Sequence, residues 1–360
     1  MRISLLNAVA ASSIAAVGVW GQGLGTVTLP LDLADAGVQV MGVLNKNPQN
    51  NQTLGFCEGP SVDAQGNVYF TESGTNARIW KATGIGAGSV FGGNTNYASN
   101  GTEIDHMGRL TVCQREALAT YDAGGARTVL ATTEPNVVVN DITIGSTGAL
   151  YFSHWGANVF YRSATGQITK IPGFSTGNGL EWVEERKKLY VAQDGPDQVW
   201  VYDVAADGKL ANGKMFVSVP EPDGMTVDEK GNLYFASWMD GKVMVFDTTG
   251  KSLGSITVTG VTGGPGTTGG PMANVANVVI GADKKIYMAG DGGLYSAQLK
   301  VGPRKRPGAT AILAFGRAGN RTLRSGVTFD PSRGALLFFR PGGNGKPSLT
   351  AWDTRGRIFP

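Results

Sequence analysis

The sequence predicts an all-β chain: a six-bladed β-propeller followed by a short β-rich tail. Three observations lead there. Glycine makes up 54 of 360 residues, about twice the usual ~7%, and shows no three-residue period, so tight turns rather than a collagen-like chain account for it. Charged residues are 16% of the chain against an ordinary ~25%, which argues against long solvated helices. The deciding observation is an internal repeat. Units with a common strand–turn–strand pattern start at Glu58, Asn100, Asn140, Asn178, Asp223 and Asn277.

The elements follow in chain order. Met1-Arg2 is a short basic start, and Leu5 to Val19 is apolar or small. That run is too short and too rich in Ala and Ser to span a bilayer, and reads as an export signal cleaved near Gln22. Residues 1–21 are therefore assigned as a signal peptide, and the mature protein is expected to be secreted or periplasmic, with no membrane span. The first unit runs from Glu58 to Phe70, with Asp63-Ala-Gln-Gly-Asn at its turn; the fifth, from Asp223 to Phe235, carries Asp228-Glu-Lys-Gly-Asn. Asp, Gly and Asn tolerate the backbone angles of a tight turn. The second strand of most units alternates around Tyr or Phe, as a half-buried strand should. Further strands follow at Arg78, Leu118, Val159, Val199 and Val243. Four strands in ~40 residues, repeated six times, close radially so that few strand edges remain. The propeller is assigned to residues 22–301.

After Leu299 the pattern ends, and residues 302–360 form the tail. Short strands are expected near Gly326, Ala335, Leu349 and Arg357. Residues 304–360 hold eleven Lys or Arg against two acids, a net of +9 in a chain of +3, so the body carries −6. An acidic body suits cations and argues against nucleic-acid binding. The basic tail reads either as a solvated β-module or as a sorting or attachment module that touches anionic cell-surface polymers. Its last residues, Trp352-Asp-Thr-Arg-Gly-Arg357, are similar to C-terminal sorting modules of some secreted bacterial proteins.

Only two His and two Cys are present. Structural zinc, iron–sulfur and disulfide-scaffold classes are thereby excluded. Cys57 and Cys113 either pair or remain buried thiols. Every unit begins with a carboxylate or amide residue, and in a propeller such equivalent positions converge on the central channel. Two carboxylates and several amide oxygens, without imidazole or thiolate, describe a site for a hard divalent cation. Ca2+ fits better than Mg2+, which demands a tighter octahedron. Any single Asn-Gly or Asp-Gly also reads as a turn; it is the six in register that point to a site. The run Gly260 to Gly270 lacks the Gly-Lys-Ser/Thr ending of a phosphate loop and is read as a loop at the channel mouth. His154 is a candidate proton shuttle or substrate contact, or else a packed histidine. Trp155, Trp182 and Trp238 are read either as mouth residues that stack on sugar rings or as core.

The strings Cys57-Glu58-Gly59-Pro60, Asn140-Asp141, Asn178-Gly179-Leu180 and Pro222-Asp223-Gly224-Met225 resemble the gluconolactonase family that includes senescence marker protein-30. The resemblance runs from about residue 50 to 300. It implies a Ca2+ ion, or another divalent cation, held by Glu58, Asn140, Asn178 and Asp223. It also implies a catalytic role for Asp223 and a substrate-side role for Asn100. The expected activity is hydrolysis of a sugar lactone, with a small-molecule lactone as partner. The runner-up is an organophosphate triester hydrolase at the same site, and the non-enzymatic alternative is a metal-stabilised propeller that only binds.

Overall fold

The computed structural model describes residues 23–73, 77–93, 97–155, 158–259 and 274–305, together with the backbone of four strands between 326 and 359. The expected signal peptide, the glycine-rich run and most of the tail lie outside the described residues. The chain divides into two compact units, Met1–Ala311 and Ile312–Pro360.

The first unit is built from six antiparallel sheets, four of them with all their strands in sequence order. Blade one runs Cys57–Val62, Val68–Glu72, Arg78–Gly84 and Ala87–Phe91. Blades two to four follow, and begin at Thr102, Val139 and Gly177. Blade five has its own four strands, from Pro222–Val227 to Ser252–Val258, and gains Gly25–Thr28 as a fifth at its outer edge. Blade six has only three consecutive strands, Val275–Ile280, Lys285–Gly290 and Gly293–Gln298. Its fourth is Met41–Leu44, which pairs antiparallel with Gly293–Gln298. The ring is therefore closed by the N-terminal segment. The second unit is a four-stranded sheet of Gly326–Asp330, Ala335–Pro341, Pro347–Asp353 and Ile358–Phe359, at the positions where the tail's strands were expected.

The repeat has a local physical cause. Asp63 Oδ1 accepts the backbone N–H groups of Gln65 and Asn67, both at 2.9 Å. Its Oδ2 takes Asn67 Nδ2 at 2.7 Å and the Tyr69 hydroxyl at 3.2 Å. Asp228 repeats this set with Lys230, Asn232 and Tyr234. Gly66 and Gly231 turn the corner at φ 82° and 88°, a region open chiefly to glycine. The string Asp-x-x-Gly-Asn-x-Tyr is thus a self-contained turn that ties the second strand back to the first.

The core lies between neighbouring blades. Leu44, Leu54, Phe70, Trp80, Tyr287 and Leu294 form one buried cluster that joins the closing strand, blade one and blade six. Tyr69, Phe91, Val112 and Tyr121 join blades one and two. Buried aromatic rings remove roughly 150–250 Å² each from water, so these seams hold the ring together. Cys57 and Cys113 are both buried and unpaired.

Sequence placed the end of the propeller at residue 301, yet the described chain continues in it to residue 305. Arg304 is buried, and its guanidinium meets Glu181 at 2.7 Å, Glu185 at 3.2 Å and the Trp182 carbonyl at 2.6 Å. Truncation after Lys305 is expected to leave a folded, active ring, because Met41–Leu44 already fills the last blade. Truncation after Val301 strands Glu181 without its partner, a loss of about 3–5 kcal/mol for a broken buried pair. Thermal melts of the two truncated proteins check this, and equal melting points would show that Arg304 is not a clamp.

Candidate functional site

The first residues of each inner strand approach the propeller axis. In five blades the inner strand carries one extra residue at this end, seen as register shifts between Glu58 and Ser61, Val139 and Ile142, Gly177 and Leu180, Pro222 and Met225, and Val275 and Asn277. A bulge of this kind re-aims side chains and ends regular pairing. The Gly that follows Asn100, Asn178 and Asp223 serves close approach rather than a turn. A Cβ on Gly101 would lie 2.6 Å from both the Asn140 carbonyl oxygen and Asp141 Oδ1. A Cβ on Gly179 would collide with the Asp223 carbonyl, and one on Gly224 with the Asn277 amide. Asn178-Gly179 and Asp223-Gly224 are strand residues where adjacent blades touch.

Glu58, Asn140, Asn178 and Asp223 are all buried, at 4 to 8% exposure. Asp223 has its carboxyl held well above the usual range, first by burial and then by the charges of Glu58 and Asp141; a hydrogen bond with Asn178 partly opposes this. Burial and Asp141 push Glu58 up to about 8, against the N–H of Gly59 that its Oε2 accepts at 3.0 Å. The structure therefore places Glu58, Asn178 and Asp223 in one electrostatic environment. Asn140 belongs to it through its neighbour, and its carbonyl accepts the Gly101 N–H at 2.8 Å.

Asp141 is the residue that sequence reasoning passed over. Its carboxylate accepts the Leu180 N–H at 2.9 Å and Asn277 Nδ2 at 3.3 Å, and burial pushes it up to about 6. The Asn140-Asp141 string carries the family resemblance, which implies a role only for its first member. Asn277 spends its amide on Asp141 and on the Val278 N–H. Three buried carboxylates thus lie close enough for Asp141 to raise Glu58, and for both to raise Asp223.

These residues fit a hard divalent cation. The Asn178 Oδ1 oxygen is buried without a hydrogen-bond partner, an arrangement that is costly unless something binds it. Among the described residues no group of three or more His, Cys, Asp or Glu is arranged to hold a metal, so a cation here would depend on the amide oxygens as well.

Asn100 lies to one side of the axis. Its carbonyl and that of Glu58 both accept from the Thr71 hydroxyl, at 3.0 and 3.5 Å. It lines a cleft of about 450 Å³ with Ser73, Ala77, Ala98, Ser99, Arg115 and Val138. His154 is placed elsewhere. It is 1% exposed and packs its ring against Phe160 at 4.5 Å and Phe152 at 5.7 Å, with Glu134 3.6 Å from Nδ1. Burial holds its pKa below the usual value. The substrate-contact role expected of His154 gives way to the packed one, because its strand turns the imidazole into the blade interior. Trp182 is likewise core, edge-on to Tyr151 at 5.2 Å, whereas Trp155 is 69% exposed on the rim.

Residues 56–267 match the SMP-30/Gluconolactonase/LRE-like region. The chain belongs to this family. A pentonolactonase of Haloferax volcanii is 30% identical over 109 residues, which is 29% of this chain and 38% of that protein. The chain thus spans less than half the length of that relative. The fold is that of a gluconolactonase from Xanthomonas campestris, with a TM-score of 0.63 at 21% identity, covering 79% of this chain and 99% of that one. Regucalcin of Agrobacterium tumefaciens, described as a calcium-binding protein, superposes with a TM-score of 0.60 at 17% identity, over 71% of this chain and 93% of its own.

Proposed function

We propose that this chain is an exported, Ca2+-dependent lactonase that opens a sugar lactone at the axial site. The observation that carries the reading is the group of three buried carboxylates, Glu58, Asp141 and Asp223, beside the unpartnered Asn178 oxygen. The family, and the lactonases among its similar proteins, supply the reaction class. Export is supported by the apolar N-terminal stretch and cell-surface contact by the basic tail.

Glu58, Asn140, Asn178 and Asp223 would hold the ion, an oxygen set rich in neutral amides of the sort Ca2+ accepts. When bound, the ion supplies Lewis-acid polarisation of the lactone carbonyl. The chain's own groups do the rest. With the ion bound Asp223 is held ionised, and it would take a proton from the attacking water. The ring oxygen leaves as an alcohol and takes up that proton. Asn100, at the cleft wall, orients substrate hydroxyls through its amide. Asp141, pinned by Leu180 and Asn277, keeps the axis negative.

The test is a panel of γ- and δ-sugar lactones assayed with Ca2+ and with chelator. Hydrolysis that chelator abolishes and Ca2+ restores is the expected result. Absence of turnover on every lactone with Ca2+ present would overturn the reaction class, and chelator-insensitive turnover would remove the cation.

A further inference from the structure

Among the described residues that line it, the cleft is neutral except for one. Ser73, Ala77, Ala98, Ser99, Asn100 and Val138 carry no charge, and Arg115 is the exception. Glu72, next to Ser73 in the chain, has both oxygens engaged, by the Gly55 N–H at 2.9 Å and by Trp80 Nε1 at 2.8 Å. Arg115 is exposed and makes none of the ion pairs found among the described residues.

Its backbone is held firmly. Arg115 and Glu116 form the two-residue turn between Leu110–Gln114 and Ala117–Tyr121. The Arg115 N–H donates to the Tyr97 carbonyl at 2.8 Å, and Arg115 bridges to Val138. Glu116, at φ 60°, donates its N–H to the Val137 carbonyl at 2.8 Å and accepts from Thr133 at 2.9 Å. Its side chain takes the Asn136 N–H at 2.8 Å and is thereby occupied. A non-glycine residue in this conformation persists only where its surroundings impose it. The turn is thus tied down on both sides and places Arg115, which makes no ion pair among the described residues, at a cleft whose volume lies in the ~300–1,000 Å³ range of small-molecule sites.

We infer that Arg115 makes this cleft a subsite for a carboxylate on the substrate, so that the preferred substrate class is a sugar lactone bearing a free carboxylate. This rests on the lactone-hydrolase reading and narrows it. A planar guanidinium matches a carboxylate with two parallel hydrogen bonds. A phosphate, with about twice the charge, would face three carboxylates at the axis with a single cation in its favour. A neutral lactone leaves Arg115 without a partner.

The test compares glucaro-1,4-lactone with neutral glucono-1,5-lactone and with 6-phosphogluconolactone, on the wild type, Arg115→Ala and Arg115→Lys. The wild type is expected to favour the carboxylate substrate in kcat/KM. In Arg115→Ala the carboxylate-to-neutral ratio is expected to fall about 10-fold or more, as for loss of a charge-assisted hydrogen bond, with Arg115→Lys in between. An unchanged ratio in Arg115→Ala, or a preference for the neutral or the phosphorylated lactone, overturns the inference. A binding arm separates this from the reaction class. Glucarate should raise the melting temperature of the wild type more than that of Arg115→Ala, whereas the uncharged polyol glucitol should not distinguish them. If no lactone turns over but this difference holds, the lactonase reading fails and the carboxylate subsite stands; if lactones turn over without it, the reverse is true.

Discussion

Asp223→Asn is expected to lower lactone turnover by at least ~10²-fold, the low end for a lost general base. The substitution keeps the side chain's size and one oxygen, so the bulged strand Pro222–Val227 has no steric reason to move. It removes a negative charge from the axis, and Ca2+ affinity should weaken with it. The discriminating feature is rescue. Asn140→Ala should lose mainly metal or substrate affinity, and excess Ca2+ should recover part of its rate. Saturating Ca2+ should leave Asp223→Asn slow. If it restores the rate, Asp223 serves only as a ligand, and the proton goes to Glu58 or Asp141.

Cation-free protein is expected to lose stability as pH rises from about 4 to about 8. The sign follows from the direction of the shifts. Glu58 is raised from 4.5 to about 8 and Asp141 from 3.8 to about 6, each first by burial, and Asp223 moves in the same direction. Between the ordinary and the raised values the folded state holds protons that the unfolded state has released, so rising pH favours unfolding. A bound cation replaces those protons. Ca2+ binding should therefore release protons, tighten with pH across the same window and flatten the pH dependence of the melting temperature. Melts at pH 5 to 8 with chelator and with Ca2+ check this. A melting temperature that stays level in chelator would show that the three carboxylates do not share the axis as described.

The turns and the axial residues illustrate two kinds of legibility. Asp63 and Asp228 bond groups two to six residues away, so their pattern is local and recurs as a readable string. Glu58, Asn140, Asn178 and Asp223 were found because rotational symmetry turns equal positions in the repeat into one place. Asp141 falls outside that symmetry. Its role arises from Leu180 in the next blade and Asn277 in the sixth, neither of which marks it in its own stretch of chain. The Asn-Gly and Asp-Gly pairs read as turns because a dipeptide shows no neighbour; their actual constraint is the backbone of the adjacent blade.

The sequence by itself determined the all-β class, the six repeated units and the residues that begin them, because a period of about 40 residues and a two-residue strand alternation are properties of the chain alone. Only the tertiary structure decided how the ring closes, which residues stand free in the cleft and which are packed. Met41–Leu44 pairs with a strand about 250 residues later, and the registers that connect them are set by radial packing, not by any local pattern. Arg304 is drawn into the propeller by Glu181 and Glu185, although it lies beyond the end of the repeat pattern in the sequence. His154 is taken out of the site by the aromatic rings around it, and Arg115 is brought to the cleft by the turn that holds it. Each depends on which face of a strand meets which neighbour, and that is fixed only when the blades pack around a common axis.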